Sequence, residues 1–230
     1  MRIAKNVEML EIITNMGTIY PTLVWDDNNL VLIDAGLPGQ IELFKKAIEG
    51  AGFDVKNITA IILTHQDIDH IGCVTDLLEF APNAKVMAYK EEIPYIDGSK
   101  TPIKLAAMEA NYENLPDDRK AWCDQFKTGF AHCKVKVDKE LEDGEVLPIC
   151  GGIQVIHTPG HTPGHICLYL QEGKVIVAGD AANIENGRLI GSRPQVTWNA
   201  NLAEESFEKI KNHEHNSVIT YHGGLYKEYK

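Results

Sequence analysis

Within the six residues His65-Gln66-Asp67-Ile68-Asp69-His70, two imidazoles and two carboxylates follow directly behind the apolar run 61-IIL-63. Nitrogen and oxygen donors alternating at such close spacing suit a divalent metal ion. A second concentration is 157-HTPGHTPGH-165, three histidines in a loop stiffened by prolines and opened by glycines. Proline fixes φ and glycine permits positive φ, so an imidazole there can be held at a defined angle. Counting residues does not decide which of His157, His161 and His165 would bind a metal. His213 and His215 are two apart near a helix end, point in different directions and read as solvated. His132 carries no signal.

Donors this scattered need rigid elements to bring them together. Four apolar runs end in a metal-competent residue: 31-VLID-34, 61-IILTH-65, 175-VIVAGD-180 and 218-VITYH-222. Strand ends at one sheet edge are where α/β proteins gather binding groups. Strands are predicted at 7–13, 19–25, 30–33, 60–63, 84–89, 153–156, 166–170, 174–178 and 217–220 from their apolar runs and the turn residues between them. Helical spacing predicts helices over 40–52, 70–80 and 201–212. The region from about 91 to 132 has prolines at 94, 102 and 116 and no clear strand, and reads as two or three inserted helices. The whole is a layered α/β protein, expected as a single domain over 1–230.

The 230 residues carry a formal net charge of −11 with no basic run to offset it. That field disfavours nucleic acid and anionic membranes and leaves a small molecule as the expected partner. Five scattered cysteines without C-x-x-C spacing read as reduced thiols of a cytoplasmic protein. The N-terminus, charged at Lys5, Glu8 and Glu11, reads as neither a signal peptide nor a membrane span. The insert is a candidate surface for a homodimer.

T-H-x-(H/D)-x-D-H after an apolar strand, then T-P-G-H-T-x-G-H, then G-D, then a C-terminal His resembles the metallo-β-lactamase fold hydrolase superfamily. The resemblance runs from 30-LVLIDAG-36 to 218-VITYHGG-224, with only the insert lacking a motif to compare. It implies a four-layer αβ/βα sandwich with two divalent metal ions at one edge. Carried over residue by residue, it assigns His65, Asp67 and His161 to a first metal, Asp69, His70 and His222 to a second, and Asp180 as a bridge. Asp34 then orients neighbouring loops and ligands, or caps the following turn, and His157 and His165 serve as supporting or packing groups.

Asp67 departs from the commonest pattern, which has histidine there. A carboxylate adds charge and an oxygen donor, so zinc is the first expectation and iron or manganese are admitted. The reaction implied is attack of a metal-bridging hydroxide on an ester-like bond (lactone, carboxylic ester or thioester), with Asp69 orienting the hydroxide and Asp180 joining the metals. Branches with H-T-P-G-H-T-P-G-H and a helical insert resemble lactonases and glyoxalase II-like thioesterases. The insert is then expected as a substrate-facing cap, with Tyr95, Tyr112, Trp122 and Phe126 as candidate pocket residues. The rival readings are an iron-dependent oxidoreductase of the flavodiiron or persulfide dioxygenase type, a mononuclear site with Asp67 solvated, and a non-catalytic metal-binding module.

Overall fold

Leu30–Ile33 and Ala60–Leu63 are runs in which every side chain is buried, as in strands covered on both faces. The computed structural model, which describes residues 1–227, builds two sheets from runs of this kind. Strands β1 (Arg2–Ala4) and β2 (Val7–Met9) open the larger sheet, β3 (Ile12–Thr14) and β4 (Gly17–Ile19) leave it as a hairpin, and β5 (Thr22–Trp25) and β6 (Leu30–Ile33) return. Helix α1 (Ile41–Gly50) leads to β7 (Ala60–Leu63), and α2 (Ile68–Ile71) and α3 (Val74–Phe80) lead to β8 (Lys85–Tyr89). Helices α4 (Ile93–Ile96), α5 (Ile103–Ala110) and α6 (Asp117–His132) form the insert before β9 (Lys139–Leu141). The larger sheet has the order β1-β2-β5-β6-β7-β8-β9, so the insert joins two strands that are neighbours in it.

The second half of the chain supplies β10 (Val146–Leu147), β11 (Ile153–His157), β12 (Ile166–Leu170) and β13 (Val175–Val177). A hairpin of β14 (Ala182–Glu185) and β15 (Arg188–Gly191), then α7 (Ala200–Asn212), β16 (Ser217–Thr220) and β17 (Gly224–Tyr226) follow. The smaller sheet runs β10-β11-β12-β13-β16-β17. Side-chain alternation along each strand divides the apolar groups between layers. Val31, Ile33 and Ile62 face Ile153, Val155, Leu168 and Ile219 between the sheets. Leu32, Ile61 and Leu63 pack outward against Phe44, Ile48 and Leu77 of the helices. Ile156, Ile176 and Val218 do the same against Phe207 and Ile210 of α7. The result is the four-layer αβ/βα sandwich.

Three predicted elements are broken where the site is built. The runs 7–13 and 19–25 are not single strands: each is shared between the larger sheet and the β3–β4 hairpin. Pro21 has no N–H to give a ladder, its carbonyl accepts from Leu10 N–H (2.8 Å), and Tyr20 N–H turns instead to Tyr221 O (2.9 Å). The predicted helix over 70–80 is two helices. Gly72 N–H donates to Gly36 O (2.7 Å) and Cys73 N–H to Ala35 O (2.9 Å), tying the break to the turn after β6. A Cβ at Gly72 would stand 2.4 Å from Pro38 N, so this approach requires glycine. Strands β9, β14, β15 and β17 carry too little apolar pattern to be read from sequence.

Candidate metal centre

The donors leave the C-terminal ends of strands from both sheets. β6 runs into Asp34, β7 into Thr64 and His65, β13 into Gly179-Asp180, and β16 into Tyr221-His222. The short α2 carries Asp69 and His70, and the β11–β12 loop carries His161 and His165. Ile166 N–H donates to Thr64 O (3.1 Å), stitching the two sheets together at this edge.

All seven sequence-predicted donors converge. One set is His65, Asp67, His161 and Asp180, the other Asp69, His70 and His222, and within each set the donor atoms lie within 4.8 Å of one another. Asp67 Oδ2 is 3.1 Å from His65 Nε2 and 2.8 Å from His161 Nε2. Asp180 spans the two sets: Oδ2 lies 3.5 Å from His161 Nε2, and Oδ1 lies 3.5 Å from His70 Nε2 and 3.3 Å from His222 Nε2. His222 Nε2 is also 3.2 Å from Asp69 Oδ2.

Three of the imidazoles are held by their far nitrogen. His70 Nδ1 pairs with Asp34 Oδ2 (2.9 Å), His65 Nδ1 with Thr64 Oγ1 (3.0 Å), and His161 Nδ1 with Ser192 Oγ (2.9 Å). Thr64 in turn donates its N–H and hydroxyl to the Asp34 carboxylate, each at 2.9 Å. Nδ1–H donating in each case would leave Nε2 free to turn a lone pair toward a bound ion, the arrangement a metal-binding imidazole needs. His70 Nε2 is buried and has no hydrogen-bond partner. A buried polar atom left unmatched costs free energy unless something accepts its lone pair. Imidazoles and carboxylates facing one another across this space fit divalent cations, so the residues present suit the metals implied by the fold.

Charge follows the same geometry. Burial opposes a charge on His70, yet Asp34, Asp180 and Asp69 around it hold its pKa well above the ordinary imidazole value. His222 is likewise lifted to about 9, as Asp180 and Asp69 outweigh burial. Burial, then the nearby His70, lowers His65 to about 4. Asp67 and Asp180 remain carboxylates well below their usual range despite burial, because His65 and His70 respectively lead the groups that offset it.

Several supporting residues lie outside the motifs. His165 Nε2 accepts Asp180 N–H (3.0 Å) while its Nδ1 meets Thr158 Oγ1 (2.9 Å). Burial keeps it neutral, so it positions the aspartate and is no donor. A Cβ at Gly179 would lie 2.7 Å from His165 Nε2, which explains the glycine before Asp180. Tyr221 donates its hydroxyl to Asp69 O (2.6 Å), and its ring lies against His70, tilted by 33° with centroids 3.9 Å apart. His157 stacks on Tyr89, a packing role. The insert's aromatics make contacts within the insert, and two of them line clefts there. Trp122 stacks on Phe126, Tyr112 donates to Asp124, and Tyr95 lines a surface cleft with Leu105 and Phe130. An insert residue in direct contact with a donor is Lys104, whose ammonium meets Asp67. In a helical I-K-L-A-A-M pattern it looks like a solvated lysine, and no sequence signal marks it.

A family model of the metallo-beta-lactamase superfamily matches residues 15–222, spanning every donor. The chain belongs to the metallo-beta-lactamase superfamily. It is 32% identical over 216 residues to the probable metallo-hydrolase YflN of Bacillus subtilis (strain 168), covering 86% of this chain and 76% of the relative. It is 26% identical over 163 residues to the hydroxyacylglutathione hydrolase GloC of Haemophilus influenzae, covering 69% and 64%. Among solved structures, the metallo-beta-lactamase family protein TTHA1429 of Thermus thermophilus superposes with a TM-score of 0.76 at 19% identity, over 98% of this chain and 76% of that one, a likeness of fold. Superfamily membership and the two donor sets together support a metal-dependent hydrolase. No helix among the described residues is long and apolar enough to cross a membrane.

Proposed function

We propose that this protein is a dinuclear metal-dependent hydrolase acting on an ester-like bond, a lactone, carboxylic ester or thioester, of a small molecule. The observation that carries the reading is the Asp180 carboxylate, which presents one oxygen to each donor set beside the unpartnered Nε2 of His70. His65, Asp67 and His161 would hold the first ion, Asp69, His70 and His222 the second, and Asp180 both. Ions held there would supply Lewis-acid chemistry, activating water and polarising a carbonyl, and zinc is the first choice for that role.

The chain's own part is to fix that geometry. Asp34 and Thr64 lock His65 and His70 in the tautomer that faces the ions, Ser192 does so for His161, and His165 holds the Asp180 backbone. Asp69 is the most accessible carboxylate among the donors, with its side chain 28% exposed, and is suited to orient a water as well as bind metal. Its main-chain carbonyl is held by Tyr221. The name of GloC, a hydroxyacylglutathione hydrolase, supports an acyl substrate. The same reading puts the protein in the cytoplasm, supported by five buried, unpaired thiols.

Metal identification followed by a panel of esters, lactones, thioesters and phosphodiesters tests the proposal, with Asp180→Ala as control. Turnover of an ester-class substrate that is lost in the variant is expected. Undiminished turnover in Asp180→Ala would contradict the bridging role. The Asp67 carboxylate is the one feature that favours an iron-dependent oxidoreductase instead. A visible absorption band in protein purified without chelator would favour that reading, and a colourless metal-loaded protein favours the hydrolase.

A further inference from the structure

We propose that Lys104 is an internal cation that fills the first metal position while the protein is metal-free, and that a metal entering this position must displace it. The inference rests on the metal-centre reading above. The Lys104 ammonium contacts Asp67 Oδ2 and lies 3.1 Å from His161 Nε2. These are two of the atoms that define the first donor set, and the third, His65 Nε2, is 3.1 Å from the same Asp67 oxygen. An ammonium has only hydrogens to offer and must be met by lone pairs. The Asp67 oxygen and the place beside His161 Nε2 can serve the ammonium or a metal ion, but not both.

The lysine is delivered there by the fold. Ile103 N–H, one residue before it, donates to Gln66 Oε1 (2.8 Å). Gln66 gives both its backbone N–H (2.8 Å) and its side-chain amide (2.9 Å) to Glu92 Oε2. The other oxygen, Glu92 Oε1, accepts Gly164 N–H at 2.7 Å, and a Cβ at Gly164 would stand 2.9 Å from it. One fully buried carboxylate therefore ties together the neighbour of Asp67, the loop of His161 and the start of α5. With these three backbones fixed, the Lys104 stem points into the centre.

Electrostatics supplies the reason. Asp67 and Asp180 put two carboxylates into a poorly solvated set, and charges so placed need a partner. Among the described residues, Lys104 is the only lysine or arginine in ion-pair contact with a member of either donor set. Its side chain is 31% exposed, and a flexible four-carbon stem gives it a way out toward solvent. No lysine or arginine among the described residues reaches the second set, where His70 Nε2 is buried without a hydrogen-bond partner. An ion entering the first set therefore displaces Lys104, and α5 of the insert loses its contact with Asp67.

The test compares wild type with Lys104→Met and Lys104→Gln in zinc titrations of the metal-free proteins against a chelating indicator. Removing the competing ammonium should tighten first-site binding on the order of tenfold, the scale of one charge-assisted hydrogen bond. Second-site binding should not move, and the thermal midpoint of both metal-free variants should fall. In wild type, acetylation of Lys104 followed by mass spectrometry should rise on saturation with zinc, while the exposed Lys46, outside the insert, serves as a constant reference. This labelling decides the matter even if neither variant folds.

Equal or weaker first-site affinity in the variants, or Lys104 labelling indifferent to zinc, would overturn the proposal. If neither wild type nor variants bound zinc, the hydrolase reading would fall with it. Equal first-site affinities in a protein that holds two ions and cleaves esters would overturn this proposal alone.

Discussion

Asp34→Asn isolates the orientation of a metal-binding imidazole from everything else at the site. Asp34 is 1% exposed and sits at φ 63°, a backbone conformation asparagine also tolerates. In wild type both carboxylate oxygens accept: Oδ1 from Thr64 N–H (2.9 Å), Oδ2 from the Thr64 hydroxyl (2.9 Å) and from His70 Nδ1–H (2.9 Å). An asparagine oxygen can keep the Thr64 N–H bond, but its NH2 then faces His70 Nδ1 as a donor. The imidazole must answer with the other tautomer, which turns a proton toward the second donor set. Loss of such a supporting partner costs about 10–100-fold in metal affinity. That corresponds to roughly 1.4–2.7 kcal/mol.

Competition with a chelating indicator reads this directly, and the thermal midpoint of the metal-free protein provides the control for folding. Asp34→Ala should separate the two effects. It strands Thr64 N–H and His70 together in the interior, where removing one partner of a buried pair costs about 3–5 kcal/mol of stability. If Asp34→Asn bound the second ion as tightly as wild type, Asp34 would not act through the His70 tautomer, and the reasoning would fail.

Phe44, fully buried where α1 meets the larger sheet, lies against Gly36 and its neighbours. Phe44→Ala should lower unfolding free energy by about 3–5 kcal/mol in urea titration, and a loss under about 1 kcal/mol would contradict the packing described. Asp26 is held at about 2 by hydrogen bonds led by that from Cys150 N–H (2.6 Å), with Asn28 and Asn29 adding to it. Its folded pKa lies below the ordinary carboxylate value, so its stabilisation is present above about pH 4 and is lost as pH falls toward 2. The stability gap between wild type and Asp26→Asn should shrink over that window, and a gap that stayed constant or widened would refute the role.

The fold and the donors were legible in sequence for different reasons. Runs such as 30-LVLI-33 and 60-AIIL-63 are buried on both faces, so composition alone marked them as strands. The donors stood out because clustered histidines and aspartates at strand ends are expensive without a purpose. Breaks such as those at Pro21 and Gly72 were lost because they depend on backbone hydrogen bonds to Tyr221 and Gly36, partners remote in sequence or fixed only by the turn after β6. Asp34 could be noticed but not interpreted, since its partners Thr64 and His70 lie 30 and 36 residues away. Lys104 and Glu92 were invisible. A lysine on an amphipathic helix and a glutamate in a charged loop are ordinary, and only the tertiary arrangement brings one to Asp67 and the other to Gln66 and Gly164.

The central claim, a two-ion centre in which Asp67 is a ligand, is tested most directly by metal content. Wild type and Asp67→Ala would be purified without chelator, supplied with zinc, desalted and analysed for bound metal per chain. Two ions in wild type and loss of the first in the variant are predicted. Equal loading of the two proteins, or a single ion in wild type at saturation, would contradict the account.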